Sequence, residues 1–194
     1  MTTVLLESGK KFITGGQLSD DQLMVSFGRG DRPAFDLLYA RYKQPLYGYL
    51  YRNCGNEASI DELFQDIWLK VIASSSRYKR RGKFRSWIFT LAHHCIVDFY
   101  RKSARQAVKQ SAVEELASNQ STESSVRDSE VLLAVQTAIA SLPLEQRQAF
   151  CLREESGFSV KEIAEIQDIS VEAAKSRLRY AYVKLRIRLA DQNK

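Results

Sequence analysis

The chain has only 3 prolines, 2 histidines and 3 cysteines in 194 residues. Scarce proline leaves long segments free to run as uninterrupted helices. The cysteines, Cys54, Cys95 and Cys151, form no Cys-x-x-Cys pair, and an odd number cannot all be bridged. This excludes a disulfide scaffold and fits buried free thiols in a reducing cytoplasm. No apolar run approaches the ~20 residues of a spanning helix, so no membrane insertion is expected. The N-terminal MTTVLLESGKKFITGGQ carries its charges after the short apolar run, the reverse of a secretory leader. Its SGKK lacks the G-x-x-x-x-G-K-[ST] spacing of a phosphate loop. No run alternates polar and apolar residues over strand length, and helical periodicity dominates.

What is present is charge, unevenly placed. The net charge is +6, from 29 basic and 23 acidic side chains, which points to an acidic partner such as nucleic acid. Arg77, Lys79, Arg80, Arg81, Lys83, Arg85, Arg101, Lys102, Arg105 and Lys109 crowd one segment whose only acid is Asp98. Just upstream, Glu57, Asp61, Glu62 and Asp66 stand with no basic residue among them. Adjacent segments of opposite sign face different partners.

Spacing and caps predict an all-α chain of two small helical domains joined by a flexible linker. Residues 1–18 form an N-terminal extension. The first domain, 19–103, begins with Ser19 as a cap and Gln22 completing a capping box. Its second helix runs from about Arg32 to Arg52, with Pro45 expected to kink it. A third spans about 57–73 on the stripe Ile60, Leu63, Phe64, Ile67 and Val71. A fourth runs from about Phe84 to Lys102. Residues 104–128 are rich in Ser, Gln, Ala and Glu and read as a linker, with an r.m.s. span of roughly 25–30 Å. The second domain, 129–194, places Ser141 as a cap before Leu-Pro-Leu-Glu. SVKEIAEIQDISVEAAKSRLRYAYVKLRIRL then reads as a short helix, a turn at Gln167-Asp168-Ile169 and a long helix from about Val171. That is the layout of a helix-turn-helix. Ile163, Ala164, Ile169, Val171, Ala174, Leu178, Ala181 and Leu185 form its core. Lys175, Arg179 and Arg186 face outward, positioned for phosphates and guanine edges.

Residues 87–102, WIFTLAHHCIVDFYRK, place both histidines beside a cysteine and near an aspartate. Helical geometry separates them. Ile88, Leu91, Ala92, Cys95, Ile96 and Phe99 share one side, the core side. Trp87, Thr90, His94, Asp98 and Arg101 share another, and Cys95 turns about 100° from His94. Adjacent His93 and His94 diverge, and two ligands, His94 with Asp98, fall short of a structural zinc site. Neither a metal, a cofactor nor a catalytic set is expected.

LPLEQRQAFCLREESGFSVKEIAEIQDISVEAAKSRLRYAYVKLR resembles region 4, the promoter-reading domain of extracytoplasmic-function (ECF) sigma factors of bacterial RNA polymerase. AFDLLYARYKQPLYGYLYR, IDELFQDIWLKVI and FRSWIFTLAHHCIVDFYRK resemble the successive helices of their region 2. The resemblance spans about residues 19–190. It implies a non-enzymatic, cytoplasmic transcription-initiation subunit. Asp61, Glu62, Gln65 and Asp66 would bind core RNA polymerase. Tyr78, Lys79, Arg80, Lys83, Phe84, Trp87, Thr90, His94 and Arg101 would melt and hold the −10 element as single strand, where cations meet phosphate and aromatic rings stack on bases. Ser170, Glu172, Ala173, Lys175, Ser176, Arg177 and Arg179 would read the −35 duplex. An anti-sigma partner is implied as well.

The chain departs from the family pattern in places. His94 stands where relatives commonly carry asparagine before the Asp98–Arg101 pair, and histidine offers a different, pH-dependent hydrogen-bond pattern. Ala173 replaces a common threonine, removing a hydroxyl. Asp168 occupies the turn where glycine is frequent, and aspartate tolerates a left-handed backbone better than most residues. Two other readings compete: a stand-alone helix-turn-helix regulator, which leaves the acidic 57–66 helix unused, and a metal-dependent hydrolase at His93, His94, Cys95 and Asp98.

Overall fold

The computed structural model describes residues 18–54, 56–79, 83–110 and 128–191. Eight α-helices and one 3₁₀ turn are found among them, and no strand. Helix α1 (Asp20–Gly28) starts on the expected capping box: Gln22 N–H donates to Ser19 Oγ at 3.3 Å, and Ser19 N–H to Gln22 Oε1 at 2.8 Å. Gly28 ends it against the 3₁₀ turn (Ser75–Arg77), where a Cβ would stand 2.4 Å from the Ser75 carbonyl oxygen, so only glycine permits this approach. Helix α2 (Arg32–Asn53) continues through Pro45 as one element. Helix α3 (Glu57–Ser74) is capped by Asn56, whose Oδ1 accepts the Ser59 N–H at 2.8 Å.

Helix α4 (Phe84–Gln110) passes well beyond its expected end at Lys102. Residues 103–110, SARQAVKQ, are mostly good helix formers, so propensity carries the helix into the stretch read as linker. The rest of that stretch to residue 127, and the N-terminal extension to residue 17, lie outside the described residues.

In the second domain α5 (Asp128–Ala140) leads to α6 (Leu144–Glu154), α7 (Val160–Gln167) and α8 (Val171–Asp191). Ser141 does not cap α6. Its Oγ donates backward to the Ala138 carbonyl at 2.8 Å, and Pro143 takes the N-cap position. The helix-turn-helix is α7, turn and α8. Ser159 and Glu162 form a second capping box before α7.

The core of the first domain includes Leu23, Leu38, Leu46, Leu50, Ile60, Ile67, Ile88 and Ile96. That of the second includes Leu152, Ile163, Ile166, Ala174, Leu178 and Ala181. Each fully buried leucine or isoleucine among them contributes roughly 1.5–3 kcal/mol. The two domains also touch. Helices α2 and α4 pack against α6 and α7, with Phe89 and Phe158 edge to face at 5.1 Å between centroids.

Candidate nucleic-acid interface

Helix α1 fixes the basic, aromatic surface from beneath. Asp21 is buried and accepts from the Tyr78 hydroxyl at 2.8 Å and from the Phe84 backbone N–H at 3.4 Å. One carboxylate thus holds both flanks of the basic loop and satisfies an orphan donor at the start of α4. Burial and the Asp21 carboxylate push the Tyr78 hydroxyl pKa well up. Beside it, Asp20 accepts from Tyr42 and, at 2.6 Å, from Arg41.

Tyr78, Phe84 and Trp87 form a tight aromatic cluster, with centroids 5.3–6.0 Å apart. Phe84 is 0% exposed and packs onto Tyr42 as well. The expectation that Phe84 offers a stacking face is therefore corrected: its ring is core and braces Tyr78 and Trp87, which stay partly exposed. Tyr78, Lys79, Lys83, Trp87 and Thr90 line a pocket of about 710 Å³, with Glu165 of α7 across from them. Thr90 donates its hydroxyl proton to the Ser86 carbonyl at 2.9 Å. Arg80 lies outside the described residues.

Farther along α4 the two histidines part. His94 is exposed, and His93 is only 7% exposed. Burial lowers the His93 pKa from 6.5 to about 4; the neighbouring His94 acts in the same direction and a hydrogen bond with Gln148 opposes it. Arg101 donates to Asp98 at 2.6 Å on the exposed surface. Cys95 is buried as expected, and Lys70 Nζ donates to its Sγ at 2.9 Å. Among the described residues no group of three or more His, Cys, Asp or Glu is placed to hold a metal ion. None of their helices is long and apolar enough to cross a membrane.

Asp61, Glu62, Gln65 and Asp66 all lie exposed on α3. The Tyr47 hydroxyl reaches Asp61 at 3.3 Å. Leu69 and Ile72, 61% and 42% exposed, continue the helix surface. Carboxylates beside exposed aliphatics suit a protein partner better than a nucleic acid.

In the helix-turn-helix, Asp168 adopts φ 51° and ψ 52°, the left-handed conformation its position requires. Ser170 then starts α8, its Oγ accepting the Ala173 N–H at 3.1 Å. Glu172, Lys175 and Arg179 are exposed, and Ala173 and Ser176 are half-buried. Lys175 approaches Glu172 at 3.4 Å. Arg177, expected among the residues that read the −35 duplex, has another partner. It turns inward, donating to Gln167 Oε1 at 3.0 Å, while Gln167 Nε2 donates to the Glu145 carbonyl at 3.3 Å. It braces α8 against α6 and α7.

Sequence spacing gave no role to Asp21, Phe89 or His93. Asp21 lies in a first turn, where an acid usually serves the helix itself. The signal for Phe89 and His93 was the width of the apolar arc on α4, too broad for one packing partner.

Two family models match in order: Sigma-70 region 2 over residues 38–106 and Sigma-70 region 4 over residues 132–185. The RNA polymerase sigma factor CarQ of Myxococcus xanthus is 30% identical over 168 residues, covering 87% of this chain and 96% of that protein. The ECF RNA polymerase sigma-E factor of Haemophilus influenzae is 28% identical over 172 residues, covering 84% and 90%. The sigma factor RpoE from Bartonella quintana, solved in complex with the anti-sigma factor NepR, shares the fold at TM-score 0.67 and 23% identity, covering 80% of this chain and 96% of that one. With both domain matches in sequence and a full-length relative at that identity, the chain belongs to the ECF sigma factors of the sigma-70 family.

Proposed function

We propose that the chain binds core RNA polymerase and directs promoter-specific initiation, with no catalytic group of its own. The observation that carries this reading is the separation of three surfaces. An acidic, partly apolar face on α3 holds Asp61, Glu62, Gln65 and Asp66. A cationic, aromatic surface holds Tyr78, Lys79, Lys83 and Trp87, with Thr90, His94 and Arg101 along α4. The exposed side of α8 holds Glu172, Lys175 and Arg179.

Each surface has the chemistry its role demands. The α3 carboxylates take a basic protein surface. The α4 surface takes the opened −10 strand, with phosphates on lysine and bases stacked on Tyr78 and Trp87. Helix α8 enters the −35 major groove by its N-terminal half, where Ser170 and Lys175 meet the backbone and Arg179 a base edge. His94 contacts one −10 base. The division into a region 2 domain at 19–103 and a region 4 domain at 129–194 follows the same reading.

A stand-alone helix-turn-helix regulator explains α8 but leaves the α3 face and the α4 surface without a task. The anti-sigma complex of RpoE supports a similar partner for this chain. The proposal is tested by mixing the chain with core polymerase and promoter fragments. Co-elution with core and a defined run-off transcript are expected. Absence of both overturns it, and a pull-down from uninduced cells that recovers polymerase alone overturns the anti-sigma partner.

A further inference from the structure

Helices α3 and α4 pack side by side, and one polar contact crosses their seam. Lys70 Nζ of α3 stands 2.9 Å from Cys95 Sγ of α4. That is the length of an ordinary N–H···O bond, although sulfur is the larger atom. Cys95 is only 3% exposed, while Lys70 is exposed, so a swing of the lysine stem uncovers the sulfur to a small solute. The bond to Cys95 raises the Lys70 pKa against the opposing effect of burial, and the Asp66 and Asp98 carboxylates add to the rise. The other thiols differ. Burial pushes Cys54 up to about 11 and Cys151 up to about 12, so both stay protonated and unreactive near neutral pH.

We infer that Lys70 and Cys95 are a peroxide-responsive pair whose oxidised product is a covalent nitrogen–oxygen–sulfur bridge between α3 and α4. The pair reacts as thiolate and ammonium. Sulfur attacks one oxygen of hydrogen peroxide, and the O–O bond breaks. The departing hydroxide takes a proton from the Lys70 ammonium and leaves as water. Cys95 is then a sulfenic acid, with a neutral Lys70 amine beside it. A second peroxide transfers one oxygen to that amine, again releasing water, and gives a hydroxylamine. The hydroxylamine oxygen attacks the sulfenic sulfur, whose hydroxyl leaves with the hydroxylamine proton as water. One thiol, one amine and two peroxides thus become one bridge and three waters. Sulfur and nitrogen are oxidised, and both peroxides are reduced.

The bridge ties the helix of Asp61 and Asp66 to the helix of His94 and Arg101. It also removes the Lys70 charge that acts on Asp66 and Asp98. The chemistry stands whatever either surface binds.

The test treats the folded full chain with hydrogen peroxide, removes the excess with catalase, and alkylates free thiols after unfolding. A tryptic digest should contain the Lys70 and Cys95 peptides joined, with a mass equal to their sum plus one oxygen and minus two hydrogens. Cys54 and Cys151 should be alkylated in the same molecules. Dithiothreitol should release both peptides. Lys70→Arg replaces the amine with a guanidinium that stays protonated. It should lose the link and accumulate sulfenic and sulfinic acid at Cys95. The urea-unfolded wild-type chain should give no link at the same dose. Absence of the joined peptides in the folded wild type overturns the inference, whether Cys95 is oxidised alone or left unchanged. So does a joined product without the added oxygen, or an equal yield from the unfolded chain.

Discussion

Asp21 Oδ1 lies 2.8 Å from the Tyr78 hydroxyl, so a carboxylate in the first helix holds down the aromatic ring that opens the basic loop. Its other oxygen accepts the Phe84 N–H. Removing this acid leaves a hydroxyl and an amide unpaired in a buried place. Asp21→Ala should cost roughly 1–3 kcal/mol in urea unfolding, and Tyr78→Phe about 0.5–1.5 kcal/mol. Equal stability in both variants would mean that the contact does not hold the loop.

His93 reports on domain closure. Neutral and buried in the docked form, it titrates near about 4; exposed in an open form it returns toward 6.5. Between those values the open form binds more protons, so closure is fully stable above 6.5 and weakens as pH falls toward 4. The other charges facing it are His94 on α4 and Arg177 on α8, both of which favour the neutral ring. An NMR titration of the His93 ring should give a depressed value in the wild type and one near 6.5 in Arg52→Glu, which turns the 2.8 Å Arg52–Glu155 ion pair between the domains into a repulsion. Identical curves in the two proteins would contradict the assignment of its burial to docking.

Lys175 and Arg177 sit two residues apart with opposite orientations. Lys175→Ala should weaken −35 duplex binding by the reconstituted polymerase about equally across sequences and lower the salt slope by about one. Arg177→Ala should instead reduce thermal stability, because Gln167 loses its partner. A larger loss of sequence discrimination from Arg177→Ala than of stability would return that residue to the DNA face.

Much of this architecture was legible in the spacing of residues. The apolar stripes of α3 and α8, the capping box at Ser19 and the left-handed turn at Asp168 all depend on neighbours within a few positions. What escaped depends on distant partners. Phe84 looked available for stacking because nothing local says that Tyr42 and Tyr78 cover it. Ser141 is the local exception: the Ala138 carbonyl, three residues back at the end of the preceding helix, takes the hydroxyl that would have capped α6. Phe89 and His93 face a second domain across a long gap in sequence, and periodicity records that a face is apolar without naming what covers it.

His94 is exposed on the α4 surface. His94→Asn should alter base preference at one −10 position while core-polymerase binding is unchanged, as read by transcription from a library randomised over the −10 element. An unchanged profile would make His94 an ordinary solvated residue.

The account turns on promoter-directed initiation, and run-off transcription with purified core polymerase tests it most directly. With the chain added, core should produce transcripts with discrete 5′ ends from a subset of promoters, and Lys83→Ala with Trp87→Ala should abolish them while co-elution with core persists. No defined transcript from any promoter, together with no association with core, would contradict the account.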